Sequence, residues 1–129
     1  MQIDKKKISK LARSFKIKLM ILFGSQANGE THKESDMDIA FYSTSKVDEE
    51  KLYNELIHML KRADIDLINL MKAHNHYFRY EILHTGTVLY EEKTGIKSNM
   101  EWQSWTDYID FKRYYDLRSK LLDKRLAKT

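Results

Sequence analysis

Apolar residues along the chain fall into short blocks with two different spacings. Ile8, Leu11, Ala12 and Phe15 recur at helical intervals, so Asp4–Phe15 is predicted to form a helix with one apolar stripe and Asp4 as its N-cap. Lys16–Phe23 ends in an unbroken LMILF, as expected of a strand covered on both faces. Gly24 stops it. A helical turn over Ser25–Gly29 and a polar loop over Glu30–Ser35 lead into a second strand, Asp36–Tyr42, with polar and apolar positions alternating at its start. Asp48–Arg62 reads as a helix with Leu52, Leu56, Met59 and Leu60 inward. Ile65–Leu70 reads as a third strand, His74–His84 as a helix ending near Gly86, and Thr87–Tyr90 as a short fourth strand. Glu91–Asn99 has the composition of a linker, and Met100–Lys128 that of one long helix rich in aromatics. This order predicts an α/β (α+β) fold, a small mixed β-sheet flanked by helices. The first two strands are expected to be antiparallel, because their connection is short. The chain is expected to divide into a body, 1–99, and a C-terminal helix, 100–129, that packs on the body or on a partner.

Composition narrows the possibilities. A chain of 129 residues, 42% hydrophobic and 33% charged, suits one domain with a genuine core. No apolar run approaches the ~20 residues that span a bilayer. The opening MQIDKKKISK is basic but has no apolar segment, so no secretory signal is expected. With no cysteine, disulfides, thiolate metal sites and cysteine catalysis are excluded, and a cytoplasmic location is expected. The net charge of +4 comes from basic residues concentrated near the two ends. Such ends attract nucleotides, nucleic acids or acidic proteins, or are the solvated faces of two amphipathic helices.

The chemistry concentrates in FGSQANGETHKESDMDIA, Phe23–Ala40. Period-two alternation sends Asp36 and Asp38 to one face of their strand, and Met37, Ile39 and Phe41 to the other. Two carboxylates held so close suit a divalent cation, and Mg²⁺ prefers oxygen ligands. The cation resolves an apparent conflict. It would join the carboxylates to the phosphates of a nucleotide, while backbone N–H groups around Gly24 and Ser25 receive phosphate oxygens. Glycine permits close backbone approach, and the Ser25 hydroxyl can donate a hydrogen bond. ADIDLINL offers a third carboxylate, Asp66, as general base or as ligand to a second metal ion. Within the apolar run an ionised Asp66 is expected to be costly without a partner. Asp64, at the start of the strand, is the other candidate.

The hydrophobic-GS-spacer-DxD pattern of Phe23–Asp38, with ADIDLINL behind it, resembles the nucleotidyltransferase superfamily typified by DNA polymerase β. The resemblance covers about Lys16 to Leu70. It implies Asp36, Asp38 and Asp66 as catalytic and metal-binding residues, and Gly24, Ser25 and Ser35 as nucleotide-binding residues. It further implies Mg²⁺, expected as two ions, and ATP as substrate. Where many relatives carry a basic residue after GS, this chain has Gln26 and Asn28. With EILHTGTVLYE and the aromatic-basic C-terminal helix, the chain is similar to the minimal nucleotidyltransferases (MNT), the antitoxins of HEPN–MNT pairs. That resemblance implies transfer of AMP to a hydroxyl, expected to be a tyrosine, of a HEPN toxin, silencing a ribonuclease. The alternatives are an antitoxin that inhibits by binding alone, or an enzyme acting on a small-molecule or RNA hydroxyl.

Overall fold

A computed structural model describes residues 3–24, 37–73 and 75–127. Asp4 accepts hydrogen bonds from the backbone N–H groups of Lys6 and Lys7 and opens α1, Lys5–Ser14. Lys16 then takes a left-handed conformation, φ 58°, which turns the chain into β1, Leu19–Phe23. All five residues of β1 are buried, as its unbroken apolar run requires. β2 is Met37–Tyr42, and α2, Glu49–Leu60, begins at the Asp48 cap. β3, Ile65–Asn69, leads through a 3-10 turn at Leu70–Lys72 to α3, His76–Thr85, capped by Asn75. β4, Thr87–Glu91, and α4, Ile96–Ala127, complete the order.

The sheet is mixed, in the order β3-β2-β1-β4. β1 is antiparallel to both β2 and β4, while β2 and β3 run parallel, joined by α2 as a parallel pair requires. The element order and the antiparallel β1–β2 pair match the sequence expectation.

Each face of the sheet has its own helical layer. Met20, Leu22, Met37, Ile39 and Phe41 pack with Ile8 and Leu11 of α1 and Leu52 and Leu56 of α2. Leu19, Ile21, Phe23 and Ala40 pack with Ile82 and Leu83 of α3 and with Ile96 and Met100 of α4. The expected linker is therefore shorter than its composition implied. Gly95, at φ 106°, ends the turn, and helix begins at Ile96, whose side chain and that of Met100, one turn on, meet the core.

α4 runs back along α3. His84 meets Glu101 at 2.6 Å, Tyr80 meets Trp105 with ring centroids 4.9 Å apart, Tyr77 meets Tyr108 at 5.0 Å, and His76 meets Phe111 at 5.9 Å. Buried Ser104 lies within this seam. From Asp110 to Leu126 every residue of α4 is exposed.

Candidate active site at the end of the central strands

β1 and β2 end and begin at the same edge of the sheet, where Phe23 pairs with Asp38. Gly24 follows at φ 82°, a conformation that L side chains rarely adopt. A Cβ placed on Gly24 would overlap Oδ2 of Asp38. Glycine is thus required twice, for the turn and for the close approach of backbone to carboxylate.

Asp38 shares its face of β2 with Ala40, which packs on the α3 side, opposite Met37, Ile39 and Phe41. Its direct partner across the parallel β2–β3 pair is Asp66. Residues paired in this way point to the same face, on strands about 4.8 Å apart. Asp38 is half-buried and Asp66 exposed. The expected cost of an ionised Asp66 inside an apolar run does not apply. β3 is an edge strand, and its carboxylate stands in water.

Asp64 is placed differently. Arg62 grips its carboxylate with two donors, Nε on Oδ1 at 2.7 Å and a terminal guanidinium nitrogen on Oδ2. The hydrogen bond from Arg62 holds the Asp64 carboxyl below the usual aspartate range. Its backbone carbonyl accepts from Met37 N at 2.8 Å, which fixes the start of β2 against β3. Asp64 is thereby bound into the strand junction.

Asp36, Ser25 and Ser35, together with Gln26 and Asn28, lie outside the described residues. Among the described residues no group of three or more His, Cys, Asp or Glu side chains is arranged to hold a metal. The pair that is described fits Mg²⁺ in its chemistry. Two carboxylates share one face, at a point where the backbone can approach without a side chain in the way.

A groove of about 660 Å³ opens beside Gly24, between the end of β1 and α3. Phe23, Asn75, Tyr77, Phe78 and Glu81 line it. Phe78 meets Phe23 edge to face, with centroids 6.2 Å apart. The Tyr77 hydroxyl donates to Glu81 Oε1 at 3.0 Å, and that carboxylate raises the Tyr77 pKa, so the phenol keeps its proton. Sequence reasoning did not single out Tyr77 or Phe78. The available signal was a pair of adjacent aromatics in the first turn of a helix, where only one of the two can face the core.

The family model described as polymerase beta, nucleotidyltransferase, matches residues 5–95. A protein adenylyltransferase, MntA, of Shewanella oneidensis is 38% identical over 77 residues, covering 56% of this chain and 55% of the relative. The matched stretch thus spans about half the length of that curated protein. A solved toxin–antitoxin structure with AMP-PNP superposes with a TM-score of 0.72 at 25% identity, covering 96% of this chain and 99% of the other. A chain of the solved complex of a tri-AMPylated Shewanella oneidensis HEPN toxin with MNT antitoxin has the same fold. It matches with a TM-score of 0.64 at 24% identity, covering 95% of each chain.

Proposed function

The chain belongs to the polymerase β nucleotidyltransferase family, and on that premise we propose that it transfers AMP from ATP to a hydroxyl, expected to be a tyrosine, of a cognate HEPN toxin, thereby acting as antitoxin to a ribonuclease. The observation that carries the reading is the Asp38–Asp66 pair, in register on one face beside Gly24. In this reading the Gly24 turn, with Ser25 and Ser35, holds the triphosphate. Asp36, Asp38 and Asp66 would hold Mg²⁺, which supplies positive charge to phosphate oxygens when bound.

Asp66, exposed at the sheet edge, takes the proton of the incoming hydroxyl. The hydroxyl oxygen forms a bond to the α-phosphorus, the bond from that phosphorus to the β-phosphate oxygen breaks, and pyrophosphate leaves with its electron pair. Asp38, set by its backbone pairing with Phe23, would help hold the Mg²⁺ at the edge where the nucleotide sits. The reaction uses ATP and a protein partner in the cytoplasm. No described helix is long and apolar enough to cross a membrane.

The test is incubation of the chain with ATP, Mg²⁺ and its cognate HEPN protein, followed by intact mass measurement. Adenylyl increments on the HEPN protein are expected with the wild type and none with Asp36→Ala/Asp38→Ala. Equal behaviour of the two chains would sink catalysis at this site. Growth rescue by the doubly substituted chain at normal expression would instead favour inhibition by binding alone.

A further inference from the structure

From Lys5 to Lys18 the chain carries seven basic residues and no acidic one, so the outer side of α1 and the turn after it have a single sign of charge. The apolar side of α1 lies in the core, where Ile8, Leu11 and Ala12 are buried. Helical spacing sets Lys6, Lys10 and Arg13 on one outer side, neighbours about 5–6 Å apart. With Lys5 and Ser9 they line a shallow groove of about 560 Å³. Arg13 also lines a second groove, of about 430 Å³, which continues past Lys16 and Lys18 to Thr44 and Ser45. The two grooves make one track at the end of the sheet where β1 begins, about 20 Å from Gly24 at 3.3 Å per strand residue.

Among the described residues, none of Lys5, Lys6, Lys10, Arg13 and Lys16 forms an ion pair. The nearby aspartates are engaged elsewhere: Asp4 caps α1 and Asp48 caps α2. Glu92 is the one carboxylate among the described residues that lines either groove, and it meets Lys18 Nζ at 3.4 Å.

The surroundings of the track select its occupant. Protein interfaces have an apolar or aromatic centre and are depleted in lysine. Here the large exposed hydrophobic residues all lie between Met71 and Leu126, and none stands on α1 or the turns beside it. A helix that lies on a membrane needs an apolar side to insert, and that side of α1 is buried. A phosphodiester chain needs neither. It is held by Lys and Arg and by hydroxyls such as those of Thr44 and Ser45. Glu92 then distinguishes the sugar. Beside phosphates a carboxylate repels unless a donor meets it, and the ribose 2′-hydroxyl is a donor that deoxyribose lacks.

We propose that this track binds RNA, with successive phosphates on Lys6, Lys10, Arg13 and Lys16 and a 2′-hydroxyl donating to Glu92. The surface is separate from the Asp38–Asp66 edge, and RNA binding there does not depend on the proposed transfer reaction.

The experiment measures fluorescence anisotropy of a short labelled single-stranded RNA between about 50 and 200 mM salt. It compares full-length wild type, Lys6→Gln/Lys10→Gln/Arg13→Gln, Glu92→Gln, and Arg118→Gln/Lys120→Gln/Lys124→Gln as a control of equal charge on α4. The three α1 side chains and the three on α4 are exposed, so Tm should match wild type in both triple variants. RNA affinity should fall at least tenfold in the α1 variant. Its salt slope should drop by about two, at about 0.7 per phosphate contact on a single strand. The α4 control should stay within about twofold of wild type. DNA of the same sequence should bind wild type at least tenfold more weakly than RNA, and Glu92→Gln should narrow that ratio. No binding at the lowest salt, or an equal loss in the α4 control, overturns the track. Equal affinity for RNA and DNA in wild type overturns RNA as its occupant. Displacement of the RNA by poly-glutamate or by phosphatidylserine vesicles at equal charge concentration overturns it in favour of an acidic protein or a membrane.

Discussion

Replacing Gly24 by alanine would bring a methyl group onto the Asp38 carboxylate and hold an L side chain at φ 82°. The backbone term alone costs about 1–2 kcal/mol, and relief of the overlap must move Asp38. Gly24→Ala is therefore expected to lower the urea midpoint modestly and to reduce pyrophosphate release far more, by a hundredfold or so if Asp38 is displaced from its working position. A variant that loses stability but keeps its rate would show that the close approach serves folding only.

Asp66 and Asp64 make a contrasting pair. Asp66→Asn removes an exposed carboxylate from an edge strand, so Tm should hold while AMP transfer falls about 10²–10⁴-fold, the usual range for loss of a general base. Asp64→Asn breaks the grip of Arg62 and should leave transfer near wild type. The Asp64 carboxyl is depressed in the folded protein by Arg62. Its contribution is thus complete above the unfolded aspartate pKa near 4 and is lost as pH falls through the lower folded value. Acid melts should show a slope below about pH 4 that is shallower in Asp64→Asn than in wild type. The sequence pattern picked out Asp66 but misjudged why it is tolerated, because edge and interior strands look alike until the strand order is known. The Arg62–Asp64 pair, two residues apart, was legible as charge but not as a bond.

The secondary-structure elements followed from periodicity wherever a buried face met a clear cap. Asp4, Asp48 and Asn75 each accept backbone N–H bonds at the start of a helix, and the helices begin where those residues stand. The start of α4 was misjudged because Gly95, Lys97, Ser98 and Asn99 have loop chemistry, while only Ile96 and Met100 announce the buried face one turn apart.

Two tryptophans three residues apart on α4 were equivalent in the sequence, and the structure separates them. Trp105 meets Tyr80 and Tyr108, whereas Trp102 is 68% exposed. Trp105→Ala should cost about 2–3 kcal/mol, less than a fully buried aromatic because its rim is open. Trp102→Ala should stay within about 0.5 kcal/mol of wild type. Equal losses in chemical denaturation would mean the α3–α4 seam is not where stability is stored.

At the scale of the molecule, the division at residues 99 and 100 becomes a question of what covers the α3 face of the sheet. Leu19, Ile21, Phe23 and Ala40 are buried by α3, and α3 is itself covered by the first half of α4 through Met100, Ser104, Trp105 and Tyr108. The His84–Glu101 hydrogen bond and the Arg79–Asp107 ion pair fasten the same seam. A chain cut after Asn99 would keep only one turn of α4, too short to hold a helix by itself. It would leave Ile82, Leu83 and the aromatic side of α3 without their outer layer. A chain cut after Lys112 would lose only residues from the exposed half of α4. The expected outcome is that residues 1–112 give a cooperative melt within a few degrees of the full chain and bind Mg²⁺-ATP with unchanged affinity. Residues 1–99 should melt broadly at much lower temperature and expose apolar surface to a hydrophobic dye. If 1–99 melts as sharply and as high as the full chain, the sheet and α3 form a complete unit and α4 in its entirety is free for a partner. The folding boundary would then coincide with the one the composition suggested.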